Sequence, residues 1–160
     1  MAKVPFAMTI DLTPIGYVSS SREDLSDDGW GDVQAMIELT AEYDVEAFDG
    51  IEEFSHVEVV YFFDRVPDEV IERGARHPRE NAEWPKVGIF AQRGKDRPNR
   101  LGVSIAKLVK REGRKIVVQG LDAIHRTPVL DIKPVMLEFL PTGEVCQPAW
   151  SHEIMRRYWR

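Results

Sequence analysis

A chain of 160 residues, 43% hydrophobic and 30% charged, is long enough for one domain whose core needs no metal or disulfide staple. The net charge of −6 argues against a protein that binds DNA by charge alone, and the single Cys146 excludes an intramolecular disulfide and suits a reducing, cytoplasmic compartment. No stretch approaches the ~20 apolar residues of a membrane span, and Met1 to Phe6 holds no apolar run of signal-peptide length.

In chain order, Pro14 to Ser20 opens with strand character, and Val33 to Leu39 follows the polar, glycine-containing loop Ser21 to Asp32. His56 to Phe63 is a denser run, reading as buried on both faces toward its end. Pro67 to Ala75 predicts a helix, with Pro67 in the first turn and Asp68 and Glu69 near its positive end. Val87 to Ala91 is a short apolar strand. Val103, Ile105, Leu108 and Val109 form a broken alternation that reaches Ile116-Val117-Val118 through the hairpin link Arg111-Glu112-Gly113-Arg114. A last strand lies near Val129 to Ile132. Ser151 to Trp159 predicts a closing helix with Ser151 as its N-cap, so a helical tail covers about 150–160. Six or seven closely spaced strands without regular intervening helices predict a mainly β fold, a small antiparallel β-barrel with short peripheral helices, over residues 1–160.

Common nucleotide fingerprints are missing. Gly29-Trp30-Gly31 lacks the third glycine of a dinucleotide loop, and Gly94-Lys95 lacks the upstream spacing of a phosphate loop. The four histidines are scattered, so no metal site is expected. Ser55 and His56 adjoin, but strand neighbours point to opposite faces, and His56 reads as a hydrogen-bonded histidine at a strand start. Trp30, Tyr61 and Trp84 offer stacking surfaces, although aromatics more often serve the core.

Charge is unevenly spread. Arg93 to Lys115 holds nine Lys and Arg against two acids, whereas residues 1–53 hold 13 acids against Lys3 and Arg22. A positive region of this kind attracts an anionic ligand despite the overall sign, so RNA is permitted. Its densest part is Arg93 to Gly102, where four cationic side chains crowd one loop and anionic groups would relieve their repulsion. A second turn-rich loop, Leu121 to Pro128, leads into Val129 to Pro134, where Asp131 reads as a partly buried acid in need of a partner.

These segments resemble the TsaA-like (YaeB/TrmO) family. The resemblance rests on Gly50 to His56, Val87 to Ala91 with Arg93, Arg97-Pro98-Asn99, Leu101 to Ser104 and Thr127 to Pro134, with Ile15 to Ser20 like its opening strand. It implies a β-barrel that binds S-adenosyl-L-methionine, forms a homodimer and methylates N6 of threonylcarbamoyladenosine at position 37 of tRNA. By motif position, the cofactor contacts fall on Phe63, Asp64, Arg93, Leu101 and the loop Leu121, Asp122, Ala123, Ile124 and His125. Arg97 and Asn99 are the positioning candidates, and Asp131 is the general-base candidate. The chain departs from the family where its Phe-His pair reads Phe63-Asp64, where its arginine loop reads Arg93 to Arg100, and where His125-Arg126 replaces Asp-Gly. Two other readings therefore stand beside the tRNA methyltransferase: a non-catalytic, dimeric S-adenosylmethionine-binding module, and a methyltransferase acting on a small molecule.

Overall fold

Alternation with a period of two places one face of each long strand inside a common core. Val18, Ile37, Val57, Val59, Tyr61, Ala106, Ile116, Val118 and Val129 are all buried, and they form one cluster. The computed structural model describes residues 8–160; residues 1–7, read above for a leader, lie outside the described residues. The strands are β1 (Gly16–Ser20), β2 (Gln34–Leu39), β3 (His56–Phe62), β4 (Ala75–Arg76), β5 (Val87–Gly88), β6 (Leu101–Glu112), β7 (Lys115–Gln119) and β8 (Pro128–Pro134). Six of them close a barrel in the order β1-β2-β7-β6-β3-β8, with β8 pairing back onto β1, while β4 and β5 form a separate two-stranded sheet. Closure leaves the barrel no open edge.

All neighbouring barrel strands are antiparallel. The C-terminal ends of β1, β3 and β7 therefore share one end of the barrel with the N-terminal ends of β2, β6 and β8. Loops 21–33, 63–100 and 120–127 all gather at that end. The hairpin between β6 and β7 turns at Gly113-Arg114 as the sequence predicts, and a bulge between Leu108 and Lys110 accounts for the broken alternation there.

Three expectations change. Residues 67–75 contain only a 3-10 turn over Asp68–Val70, because Ala75 and Arg76 are drawn out to pair with Gly88 and Val87. The strand predicted over Val87 to Ala91 stops at Gly88, and Ile89–Ala91 turns so that Ile89 is buried. The closing helix is α1 (Ala149–Ile154), entered through Pro148; Ser151 lies inside it and donates its hydroxyl to the Pro148 carbonyl at 2.7 Å. The end of β3 also alternates, and Phe63 lies just past it.

After β8 the chain is at the far end of the barrel. Residues 136–149 are all exposed before α1 and the turn that follows return the chain to the loop end. There the amides of Gly29 and Trp30 donate to the carbonyls of Arg157 and Tyr158 at 3.1 and 2.8 Å. No helix among the described residues is long and apolar enough to cross a membrane.

Candidate functional site at one end of the barrel

The loop after β7 closes this mouth. Leu121 and Ala123 point into the core and Ile124 is buried, so the segment acts as a plug as well as a surface. Thr127 ties the turn by donating its hydroxyl to the Ile124 carbonyl at 2.8 Å, and the Arg126 amide reaches the Val18 carbonyl at 2.7 Å. His125 lies against β1: its amide donates to the Arg22 carbonyl, and its Nδ1 accepts from the Ser20 amide at 3.3 Å.

The carboxylate in this plug, Asp122, is half-buried. Tyr61 Oη donates to its Oδ1 at 2.7 Å, Ser104 Oγ donates to the same oxygen, and Tyr158 Oη donates to Oδ2. It makes no ion pair with any described residue. Burial raises the ionisation of both phenols well above the ordinary tyrosine range, and the Asp122 charge raises it further. Both therefore remain donors at neutral pH. The result is a negative centre held by three hydroxyls and balanced by no cation.

The opposite wall is the 63–100 excursion, far longer than most loops in compact domains. It is fixed by polar staples. Buried Gln92 donates its amide to the carbonyls of Arg76 and Val87 at 3.1 and 2.9 Å, and Arg97 donates to the Gln92 carbonyl at 2.8 Å. Arg76 pairs with Asp96 at 2.7 Å, Arg100 pairs with Asp68, and exposed Arg93 donates to the Val103 carbonyl at 2.7 Å. Of the four loop cations, Arg100 meets a carboxylate and Arg93 and Arg97 meet carbonyls, while Asp96 is taken by Arg76 from outside the loop. Asn99 sits in the left-handed region at φ 63°, and its side chain is exposed.

Phe63 meets the Tyr61 ring edge-on at 5.4 Å, Asp64 is exposed beside it, and Leu101 is exposed where β6 begins. A cleft of about 760 Å³ continues along the same loops, with Val66, Pro67 and Val70 as an apolar wall and Arg65, Lys86 and Lys95 among its cations. Those three make no ion pair among the described residues. The structure therefore gathers Phe63, Asp64, Arg93, Arg97, Asn99, Leu101 and Leu121 to His125 on loops at one end of the barrel. Asp131 stands apart from them. It pairs with outward-facing Val60, receives Lys133 Nζ at 2.7 Å and accepts the Ile132 amide at 2.9 Å.

Sequence reasoning missed the partners of Asp122. Tyr61 and Ser104 were legible as inward positions of their strands, but Tyr158 is 36 residues from Asp122 with no local signal. It also missed what Gly29-Trp30-Gly31 does. A Cβ on Gly31 would overlap the Trp159 carbonyl, so this glycine seats the returning segment. Trp30 lies under the Arg22 guanidinium, 3.5 Å from its ring centre. Ser55 and His56 bond to each other at 2.7 Å on the exposed far end, with His56 opening β3.

These features define a small closed barrel whose loop end holds an uncompensated carboxylate and, along the 63–100 excursion, a separate cleft. The family model of the tRNA-methyltransferase O N-terminal domain matches residues 26–139, and the chain belongs to that family. A tRNA (adenine(37)-N6)-methyltransferase of Homo sapiens is 40% identical over 99 residues, covering 62% of this chain and 22% of its own length. A probable S-adenosyl-L-methionine-binding protein of Pyrococcus abyssi is 34% identical over 137 residues, covering 82% of this chain and 71% of its own. The crystal structure of TrmO from Pseudomonas aeruginosa superposes with a TM-score of 0.74 at 26% identity, over 91% of this chain and 63% of that one. The chain thus spans about a fifth of the human relative's length and under two thirds of the solved one.

Gly102 faces Tyr61 across β3 and β6, and a Cβ there would overlap the Tyr61 ring and come within 2.9 Å of Phe63. Gly102→Ala is expected to lower stability in urea unfolding by about 1–3 kcal/mol, the usual cost of overpacking, while Gly113→Ala, with open space around its Cβ but φ of 61°, costs about 1 kcal/mol.

Proposed function

We propose that the chain binds S-adenosyl-L-methionine at the loop end of the barrel and methylates N6 of an adenine in tRNA, threonylcarbamoyladenosine at position 37. The observation that carries this reading is Asp122, a half-buried carboxylate with three hydroxyl donors and no cation. Such a centre suits the ammonium or sulfonium charge of that cofactor, since a cation would complete its neutralisation. Arg93 retains donors for the cofactor carboxylate, and Phe63, Leu101 and Ile124 supply apolar cover around the adenine. Asp64 and His125 flank them on the same loops. The names of the human and archaeal relatives agree with this chemistry.

When bound, the cofactor supplies a methyl group on a sulfonium, which passes to the acceptor nitrogen as the carbon–sulfur bond breaks, leaving a thioether and a released proton. The protein's task is alignment and exclusion of water, because the methyl donor is already activated. Arg97 and Asn99 position the acceptor in this reading; Asp131, on the outer face of β8 and paired with Lys133, is set aside as the base, and the released proton passes to water. The cleft beside the cofactor loops accepts the nucleotide, with Arg65, Lys86 and Lys95 facing its phosphates. A cytoplasmic homodimer completes the proposal. Leu101, Val103 and Ile105 on the outside of β6 and Leu137 and Phe139 on the returning arm are exposed apolar side chains that a second copy would cover.

Isothermal calorimetry with S-adenosylmethionine is expected to show binding by the parent chain, weakened about tenfold or more in Asp122→Asn, in line with loss of a charged partner. Label from the methyl group should appear in tRNA that carries the threonylcarbamoyl group and vanish on RNase treatment. Binding without transfer to any RNA supports the non-catalytic module, RNase-resistant label supports a small-molecule acceptor, and no binding defeats the proposal.

Lys86→Ala with Lys95→Ala is expected to weaken tRNA binding and to reduce the slope of log affinity against log salt by about 1.4, from the loss of about 0.7 per single-strand phosphate contact at each site. Filter binding at three salt concentrations measures this. Sedimentation equilibrium should give twice the chain mass, and Val103→Glu with Ile105→Glu should give the single-chain mass.

A further inference from the structure

Residues 149–160 lie outside the stretch that matches the family model, 26–139, yet they reach the centre of the candidate site. Two backbone hydrogen bonds place them, from the Gly29 and Trp30 amides to the Arg157 and Tyr158 carbonyls. Gly31 makes room for the Trp159 carbonyl, and Trp84 Nε1 donates to the Glu153 carboxylate at 2.8 Å. The consequence is that the Tyr158 hydroxyl arrives at Asp122 Oδ2, the oxygen that neither Tyr61 nor Ser104 holds.

We infer that Tyr158 is a positioning residue of the cofactor loop: its hydroxyl, delivered by the returning segment 149–160, holds the second oxygen of Asp122 and so fixes the orientation of residues 120–127. The division of labour is geometric. Tyr61 and Ser104 project from the barrel wall and secure one carboxylate oxygen, which leaves the other without a donor from the barrel. A donor on that oxygen, from outside the barrel, completes the set. It also tethers the loop from its outer side, where Asp122 is half-buried. Tyr158 does not touch the reacting atoms in this assignment; it acts through Asp122. The segment that carries it thereby becomes a wall of the site and couples cofactor binding to docking on Gly29 and Gly31.

The inference rests on reading residues 121–125 as the cofactor loop, so its test begins without cofactor. Amide hydrogen exchange in the full chain reports on the loop through Gly120, His125, Arg126 and Thr127, whose amides bond to Val33, Arg22, Val18 and Ile124. Tyr158→Phe keeps the ring and the backbone contacts, and is expected to speed exchange of these amides at least about tenfold, the scale of one charge-assisted hydrogen bond. The amides of β2, β3 and β7 should keep the parent rates. His152→Ala, exposed on the same segment and making no side-chain bond to another described residue, should leave the loop unchanged. Combining Tyr158→Phe with Asp122→Asn should add nothing to Asp122→Asn alone, because both remove the same contact. With S-adenosylmethionine, Tyr158→Phe should raise Kd by about tenfold. Unchanged loop exchange, acceleration spread equally through the barrel, or an equal effect of His152→Ala each overturns the inference. Absence of S-adenosylmethionine binding by the parent chain defeats the cofactor reading and leaves the exchange result to decide the role of Tyr158.

Discussion

A carboxylate with no cation must find hydrogen-bond donors before it can be taken out of water, and here the donors come from three places far apart in the chain. Tyr61 projects from β3, Ser104 from β6 and Tyr158 from the segment that returns after β8. Leaving such a group unpaired would cost several kcal/mol, so the arrangement constrains everything around it. The inward side of β6 must be small opposite Tyr61, and it carries Gly102, Ser104 and Ala106. The plug must carry apolar side chains on either side of Asp122, and it carries Leu121 and Ala123, both in the core cluster. The returning segment must approach backbone to backbone, which Gly31 permits. Packing and polar satisfaction are one requirement at this mouth.

Closure of the barrel explains why the candidate site lies at one end. Six antiparallel strands satisfy one another's main-chain groups and leave nothing reactive along the sides. What remains are the ends. The far end is closed by a tight hairpin at Gly113-Arg114 and by turns before β3, whereas the near end receives the long 63–100 excursion. An excursion with only two-residue strands and 3-10 turns lacks a core of its own. Gln92, Arg76 and Arg97 compensate by spending their donors on main-chain carbonyls and on Asp96. The arginine-rich loop is therefore in large part a scaffold, and the cleft's cations without an ion pair among the described residues are its own Lys95 and, outside it, Arg65 and Lys86.

The strands were legible because period-two burial is local information. Val57, Val59 and Tyr61 announce an inward face without any knowledge of their neighbours. The helix read into Pro67 to Ala75 failed because its end signals were correct in type but overruled from outside. Pairing of Ala75 with Gly88 stretches the chain just where a helix would have to continue. The candidate loops were legible as positions, and the fold gathers them at one end of a barrel whose strand order the sequence does not state. The polar partners of Asp122 were not legible. Nothing near Asp122 points to Tyr158, and nothing near Gly31 points to Trp159; both pairings exist only once residues 136–149 have carried the chain back along the barrel.

The placement of charge makes the same point about reading composition. A loop with four cationic side chains invites an anion when only sequence is in view, because like charges in water are cheaper when a counter-charge is near. Folding changes the count by bringing Asp68 to Arg100 and main-chain carbonyls to Arg93 and Arg97. Asp131 follows the same logic with the opposite sign: a carboxylate flanked by apolar residues suggests a hidden acid, yet strand register turns it to the outer face and gives it Lys133. Asp122, in the middle of the proposed cofactor loop, is a half-buried acid that folding leaves without a counter-charge among the described residues. A negative centre retained by hydroxyls, rather than cancelled by an arginine, keeps its field available to a cation that arrives later. That is the electrostatic condition a sulfonium or ammonium ligand requires, and Tyr61, Ser104 and Tyr158 maintain it without neutralising it.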